Sequence, residues 1–528
     1  MKKYILKTTV LLTALTLVVS SCKNTLDLAP MNDVTGDVVY STFQGYQESL
    51  AKVYGSFALT GNAGPAGAPD VVGLDEGSNG DFLRTFWKAQ ELSTDEAIIS
   101  WGDAGIQDFH NMNWNSSNPF LKGFYYKDLY QITLANEFLR QSTDAEVAKR
   151  GITGADADAI KAYRNEVRFI RAFDYWALLD LYGNVPFTTE NNPIGGPLPT
   201  QMSKADLFKY IESELKEIEP LLPAVKDAAH YGRATQYAAD ALLARLYLNA
   251  EVYTGTARYA DALTYAKKVI DSDKFSLTPN YRNIGLNDNN TSPEFIFTIN
   301  YDGQKTQGYG GTTFLAHACV GGSMNAANYG LDGGWAGLRT TSAFVNQFAD
   351  PSGNTDKRAN FYNSGQNLEI SSVSTFTDGY AIPKFQNKDS QGISGINATF
   401  VSADFPVFRL AEMYLIYAEA NLRGGGGDLA TAIGYINLLR ERAYGDNSGN
   451  VTSINLDFIL AERSRELYWE GHRRTDLIRF AKFTSDTYLW PWKGGVKEGK
   501  GVESFRALYP LPSDDVNANP NLTQNTGY

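Results

Sequence analysis

Along this chain, apolar residues recur at three- and four-residue steps in separated blocks, the spacing that lines one face of an α-helix. Residues 43–59 carry Tyr46, Leu50, Val53, Tyr54 and Phe57 in that pattern. Residues 120–140 repeat it with Phe124, Leu129, Ile132 and Phe138, and residues 160–182 extend it into a longer helix. Gly183-Asn184-Val185-Pro186 then supplies a stop, since glycine releases the chain and proline cannot continue a helix. Ser203 opens another helix with Asp206 three residues on, a start resembling a capping box, and Pro220 and Pro223 close it.

Two later blocks resemble each other. In residues 237–270, Ala250-Glu251 is followed after a turn by Ala262-Leu263-Thr264-Tyr265; in residues 408–442, Ala418-Glu419 is followed by Ala432-Ile433-Gly434-Tyr435. The alanine separations are 12 and 14 residues, and Gly424 to Gly427 in the second turn can absorb the difference. Each block predicts a helix pair with small residues where the backbones approach, which is the logic of a tetratricopeptide-type repeat.

Residues 61–112 and 283–400 have a different character, rich in Gly, Asn, Ser, Thr and aromatics, with 295–299 (Phe-Ile-Phe-Thr-Ile) the best strand candidate. Segments this long without helical patterning are usually functional rather than connecting. The predicted fold is therefore mainly α: a scaffold of tetratricopeptide-like helix pairs with a large loop-rich lobe, about residues 61–119 and 283–400, containing a few short strands. Residues 22–528 are expected to form one unit.

The N-terminal end changes the picture of where the chain works. Lys2, Lys3 and Lys7 precede a short apolar run at 10–19, about half the length needed to cross a ~30 Å hydrocarbon core. With these flanks, residues 1–21 read as a secretory signal peptide. Val19-Ser20-Ser21-Cys22 sets small residues before a cysteine, as a lipidating signal peptidase requires. Cys22 is therefore the expected acyl acceptor, in preference to an incidental exposed thiol, and several acyl chains would tether the chain stably. Beyond residue 21 there are 44 basic and 59 acidic residues, a net charge of −15. That balance argues against nucleic acid and anionic lipid as partners. Only Cys319 accompanies Cys22, so no internal disulfide framework exists.

Catalytic spacings are missing. His110, His230, His317 and His472 fall in no metal-binding motif, and there is neither a phosphate loop nor a GxSxG elbow. Asp446 to Asn450 and Asp288 to Asn290 could hold a structural calcium, although turn chemistry explains such clusters more simply. Asp75-Glu76 and Asp95-Glu96 could serve a glycosidase only if the two carboxyls faced each other across a bond, which adjacency does not establish. The densely charged stretch from Glu462 to Arg479 reads as scaffold, crossed by ion pairs at helical spacing.

The positive signal is aromatic. Phe, Trp and Tyr make up 13% of the chain. Trp176 and Trp469 lie on helical patterns, whereas Trp87, Trp101, Trp114, Trp335, Trp490 and Trp492 fall in loop-like segments. A pyranose offers an apolar face and a hydroxyl rim, so an open aromatic ring beside carboxylates or amides suits it. Trp101-Gly102-Asp103, Gly333-Gly334-Trp335-Ala336-Gly337, Tyr301-Asp302-Gly303 and Gly308-Tyr309-Gly310 fit that need.

Taken in order, a series of segments resembles the SusD/RagB family of outer-membrane glycan-binding lipoproteins. They are Ser21-Cys22, residues 26–30 (LDLAP), 93–97 (STDEA), 168–176 (RFIRAFDYW), 182–186 (YGNVP), 408–420 (FRLAEMYLIYAEA), 462–479, 508–512 (LYPLP) and 519–525 (NPNLTQN). The resemblance implies a non-catalytic role: capture of a glycan, foremost an α-glucan such as starch, and its delivery to a SusC-like TonB-dependent transporter. It also implies an arc of two Trp and one Tyr, matched by Trp101, Trp335 and either Tyr301 or Tyr309, with Arg84 and Asp103 as polar contacts. Ala104 stands where an amide would be expected. Other glycans (a fructan or host oligosaccharide), peptides, and glycosidase activity are the alternatives. No cofactor is expected.

Overall fold

The computed structural model describes residues 36–65, 68–75 and 77–528. The expected signal peptide, Cys22 and Glu76 lie outside these described residues.

The helix Phe43–Gly55 begins where Thr42, in extended conformation, accepts the Gly45 N–H at 3.2 Å, and it buries Tyr46, Leu50 and Val53. It ends short of residue 59, and the chain reaches the buried Phe57 through a turn in which Phe57 N–H bonds Tyr54 O. Pro119–Gln141 is capped by Asn118, whose side chain takes the Phe120 and Leu121 N–H groups at 3.1 and 3.2 Å. Pro119 occupies the first turn, where its missing N–H costs nothing. Ala155–Tyr182 stops at Gly183, which takes φ 75°. Lys204–Ile218 starts on the predicted Ser203 cap, with the Asp206 N–H donating to its hydroxyl at 3.2 Å.

These helices stack in chain order. Pro119–Gln141 packs on Ala155–Tyr182, which packs on Lys204–Ile218, which in turn meets Gln236–Leu248. The two resembling segments form the expected pairs, Gln236–Leu248 with Tyr259–Asp271 and Leu410–Leu422 with Leu429–Tyr444, and they stand side by side. Ala262, Ala266, Ala411, Ala418 and Ala432 are fully buried at these contacts. The glycine-rich turn between the second pair does more than absorb length. A Cβ on Gly427 would lie 2.4 Å from Leu263, and one on Gly425 2.8 Å from Tyr259 O, so only glycine lets this turn rest on the neighbouring pair.

The strand Phe295–Ile299 pairs antiparallel with Phe405–Arg409, all ten residues buried. A second, two-residue pairing joins Ile98–Ile99 to Leu338–Arg339. One apolar cluster runs through scaffold and lobe alike, from Tyr40 to Leu522.

Two helices longer than a single turn lie inside the segments read as loops. Every residue of Phe82–Glu91 and of Gly311–Ala318 is buried, the charged Arg84, Lys88 and Glu91 included. Trp87 is therefore a core residue, its indole N–H donating to Trp469 O at 3.0 Å.

The charged stretch is scaffold, and it keeps two pairs at helical spacing, Glu462 with Arg465 at 2.5 Å and Asp476 with Arg479 at 2.7 Å, while its other partners are remote. Glu466 meets Arg409 at 2.6 Å, Arg442 at 2.5 Å and Arg358 at 3.4 Å, while Glu462 meets Arg358 at 2.8 Å and Arg440 at 3.1 Å. All are buried or nearly so. Such a network joins the last helices to the loop at 356–358 and to the strand ending in Arg409. Removing one partner would leave its buried neighbours a countercharge short.

Candidate functional site

The short Ile98–Ile99 and Leu338–Arg339 pairing carries Trp101 and the 333–337 turn to one face. Ser100 extends it, its N–H donating to Gly337 O at 2.9 Å and its hydroxyl to Ala336 O at 2.6 Å. Trp101 then donates its indole N–H to Trp335 O at 3.0 Å. The glycines of the turn have a packing reason. A Cβ on Gly337 would come within 2.6 Å of the Trp101 indole, and one on Gly334 within 2.3 Å of Val320 O.

Tyr309 arrives from the other side, leaving three half-buried rings in a row. Trp101 and Trp335 have centroids 6.4 Å apart with planes at 44°, and Trp335 and Tyr309 are likewise 6.4 Å apart at 51°. Planes that turn this much from ring to ring do not form a flat strip. Phe400 backs Tyr309 at 5.4 Å.

The supports beneath are buried. His317 lies flat on Trp335, with centroids 4.7 Å apart and planes at 20°. Its Nδ1 is 2.6 Å from Gly333 O and its Nε2 2.9 Å from Thr399 O, so one side chain ties together the two loops that frame the indole. The Arg84 guanidinium sits over Phe314 at 4.6 Å and Trp101 at 5.6 Å. It donates to Tyr309 O at 2.9 Å and to Gly77 O. Burial lowers the Arg84 pKa to about 10, against the pull of Asp81, Asp103 and Asp75. Asp81 caps Phe82–Glu91 through the Arg84 N–H at 2.7 Å and also accepts the Gly311 N–H at 3.1 Å. It thereby pins the two hidden helices under the aromatic row, and its own pKa is raised by burial.

The sequence-predicted residues thus divide. Trp101, Trp335 and Tyr309 come together at the surface, and Asp103 is exposed next to Trp101 and Gly102 with no side-chain hydrogen bond among the described residues. Arg84 is corrected from a contact on the face to a buried prop beneath it. Tyr301 is corrected to a core residue: it is 7% exposed, and its ring fills the space a Cβ on Gly311 would need. Its hydroxyl is buried without a hydrogen-bond partner among the described residues. Trp114 and Trp490 are buried too, and the half-buried Trp492 spends its indole N–H on Ile370 O at 2.9 Å. His317, Phe314 and Phe400 were not foreseen as part of this face. Nothing in their local sequence marks them, because each acts through a ring stacked on a residue distant in the chain.

The other candidate chemistry is occupied elsewhere. Asp95 is buried and gripped by Arg473 at 2.7 and 2.8 Å and by the Tyr488 hydroxyl at 2.6 Å. Glu96 accepts the Ser464 hydroxyl at 2.6 Å, and burial raises its pKa to about 7. Asp446 caps its own turn through the Ser448 N–H, and Asp288 accepts from Ser390. Among the described residues no three His, Cys, Asp or Glu side chains cluster as metal ligands, and no helix is long and apolar enough to cross a membrane.

Comparison with known proteins gives a consistent answer. The SusD family model matches residues 351–528, and a second model, described as starch-binding and associating with the outer membrane, matches residues 71–248. Starch-binding protein SusD from Bacteroides thetaiotaomicron is 36% identical, over 97% of this chain and 96% of its own length. SusD-like protein P25 from Formosa agariphila is 24% identical over 76% of this chain and 79% of its own. Among solved structures, surface glycan-binding protein A from Bacteroides thetaiotaomicron matches with a TM-score of 0.70 at 22% identity, covering 92% of this chain and 100% of that one. A laminarin binding SusD-like protein matches with a TM-score of 0.70 at 21% identity, covering 92% and 99%. With 36% identity carried across almost the whole of both chains, and with the helix-pair scaffold seen here, this chain belongs to the SusD family.

Proposed function

We propose that this chain binds an oligosaccharide or polysaccharide without catalysis, that its ligand is an α-glucan of the starch or maltooligosaccharide type, and that it passes this ligand to a SusC-like TonB-dependent transporter while tethered to the outer membrane through Cys22. The observation that carries the reading is the row of Trp101, Trp335 and Tyr309. The three rings are half-open and held from below by His317, Arg84 and Phe400. A curved glucan can lay successive sugar faces on rings whose planes turn by 44° and 51°, whereas a flat ribbon would need them coplanar. The exposed Asp103, two residues from Trp101, would supply a carboxylate for the hydroxyl rim. The relative at 36% identity bears the name starch-binding protein, which supports the same ligand class.

Carboxyl groups with strongly raised pKa, such as Glu91, Asp128 and Asp174, are fully buried. They are out of reach of a glycosidic bond at this face, which supports binding over hydrolysis. An open row with few enclosing groups should bind at millimolar to micromolar strength, about −4 to −8 kcal/mol. The test is a glycan array probed with residues 22–528, together with a reducing-end assay after prolonged incubation with starch. The expected result is signal on α-glucans and no new reducing ends. Signal confined to fructans or host oligosaccharides would overturn the α-glucan assignment. Capture of peptides with no glycan signal, or release of reducing ends, would overturn the function itself.

A further inference from the structure

A cavity of about 510 Å³ opens on the scaffold, between the end of Ala155–Tyr182, the short helix Ala250–Thr254 and the C-terminal segment at 504–526. It shares no lining residue with the aromatic row. Its size falls within the ~300–1,000 Å³ of small-molecule sites, and its walls are pre-formed. Asn525 is 9% exposed and donates from Nδ2 to both Tyr182 O and Tyr509 O, at 2.8 and 2.7 Å. The backbone of Thr523 is tied to the Gln201 side chain in both directions at 3.0 Å. Phe505 is fixed edge-on to Tyr528 at 4.9 Å, with the Arg506 guanidinium over its ring at 4.8 Å. Gly527, at φ 99°, leaves room for that ring, since a Cβ there would lie 2.3 Å from it.

The polar groups fall into two sets. The charge at the floor is spent: Asp180 accepts from Tyr253, Gln90 and Thr475 at 2.7–2.8 Å and faces Arg474 at 3.3 Å. Asn249 is likewise committed, to Arg479 and to Arg245 O. What remains without a partner among the described residues is neutral: the Asn525 Oδ1, the Asn184 Nδ2, and the hydroxyls of Ser504, Thr523 and Thr526. They surround Phe505, Leu508 and Val252. The one charge on the lining not taken up by an ion pair among the described residues is Lys204, exposed at the rim and bonded to Val252 O at 3.4 Å; with Asp180 spent, a cationic or zwitterionic ligand such as an amino acid finds no free counter-anion. A small polyol with one apolar face would use both the unspent neutral groups and the ring.

We propose that this cavity is a second, independent binding site, taking a neutral mono- or disaccharide. The site holds a short sugar enclosed by the C-terminal segment, apart from the long chain laid on the open row. It does not depend on the ligand assigned to that row, and it can be tested with the row disabled. In the Trp101→Ala/Trp335→Ala double variant of residues 22–528, saturation-transfer NMR should detect glucose or maltose. Thr526→Trp, on an exposed wall of the cavity, should weaken that binding at least tenfold, and Val252→Trp, on a different wall, should do the same. Melting temperatures of both variants show whether they are folded. Absence of transfer from glucose, maltose and laminaribiose in the double variant would overturn the proposal. So would transfer that both filling substitutions leave unchanged. Loss of maltoheptaose binding in the double variant, with maltose transfer retained, separates the two sites.

Discussion

Adding one methyl group at Gly337 should weaken the aromatic row without removing any aromatic side chain. Gly337 is buried, and its backbone is held on three sides: N–H to Ala318 O at 2.8 Å, and C=O from Ser100 N–H at 2.9 Å and Arg339 Nη1 at 3.2 Å. Its φ is not among the positive values, so alanine is conformationally allowed. The new Cβ would lie 2.6 Å from Trp101 Cε2 and 2.8 Å from both Cζ2 and Nε1. An ordinary contact needs about 3.5–4.0 Å, so something must yield by about 1 Å. With the backbone pinned, the half-exposed indole is the part free to move. A shift of that size breaks the 3.0 Å bond to Trp335 O, worth about 0.5–1.5 kcal/mol, and crowding adds up to about 1–3 kcal/mol of destabilisation. For ligand, a displaced and re-tilted Trp101 should cost about 1–2 kcal/mol, or roughly 5- to 30-fold in affinity. Isothermal titration of Gly337→Ala against maltoheptaose reads the affinity, and thermal melting confirms a folded protein with a midpoint lowered by a few degrees. Wild-type affinity in folded Gly337→Ala would refute the claim that the seating of Trp101 on this turn sets the binding surface.

Three further outcomes follow from the same geometry. Tyr301→Phe should leave glycan affinity unchanged and raise stability by about 1 kcal/mol, because it removes a buried hydroxyl without a partner among the described residues, whereas Tyr309→Ala should weaken binding at least fivefold; titration and melting of the pair check this. Asp128 and Asp174 are buried with all four carboxyl oxygens unpartnered among the described residues, and burial raises both pKa values, Asp128 adding to the rise at Asp174. Their contribution is therefore greatest below about pH 4, the unfolded value, and is lost as pH rises through the folded values. Asp174→Asn should raise the melting temperature more at pH 8 than at pH 5, and an equal shift at both would count against a buried acid pair. The Glu462 and Glu466 carboxyls run the other way, held low by their arginines against burial, Glu462 to about 2. Their stabilisation is present above about pH 4.3 and fades toward pH 2, and Glu466→Ala should cost about 1.5–3 kcal/mol in chemical denaturation at pH 7, because Arg409 and Arg442 each lose one carboxylate but keep Glu294, and Arg409 also Glu470.

The scaffold was legible because its helices are amphipathic and punctuated. Ser203, Gly183 and the paired alanines of 250–262 and 418–432 each mark a local event, and each stands where the pattern placed it. The lobe was less legible for a physical reason. Helices Phe82–Glu91 and Gly311–Ala318 are only 10 and 8 residues long, shorter than the window of about 11–18 residues over which a helical period stands out, and Gly- and Asn-rich sequence surrounds them. The charged run from Glu462 announced ion pairs without announcing partners, since Arg358, Arg409 and Arg442 come from remote elements. Within the site, Trp101 and Trp335 could be singled out because glycines flank them. The choice between Tyr301 and Tyr309 could not be made locally: both sit beside glycine, and only tertiary packing sends one inward against Gly311 and the other out to Trp335. His317 offered no signal beyond its failure to fit a metal motif, yet it is the flat support on which Trp335 rests.

The most direct test of the central claim is isothermal titration of residues 22–528 with maltoheptaose, run beside Trp101→Ala, Trp335→Ala and Tyr309→Ala. A single weak site in the wild type, between millimolar and micromolar, weakened at least tenfold by either tryptophan substitution and by a smaller factor at Tyr309, is the predicted result. Undiminished binding in all three variants would contradict the aromatic row as the binding surface, and no heat from the wild type would contradict the α-glucan as its ligand.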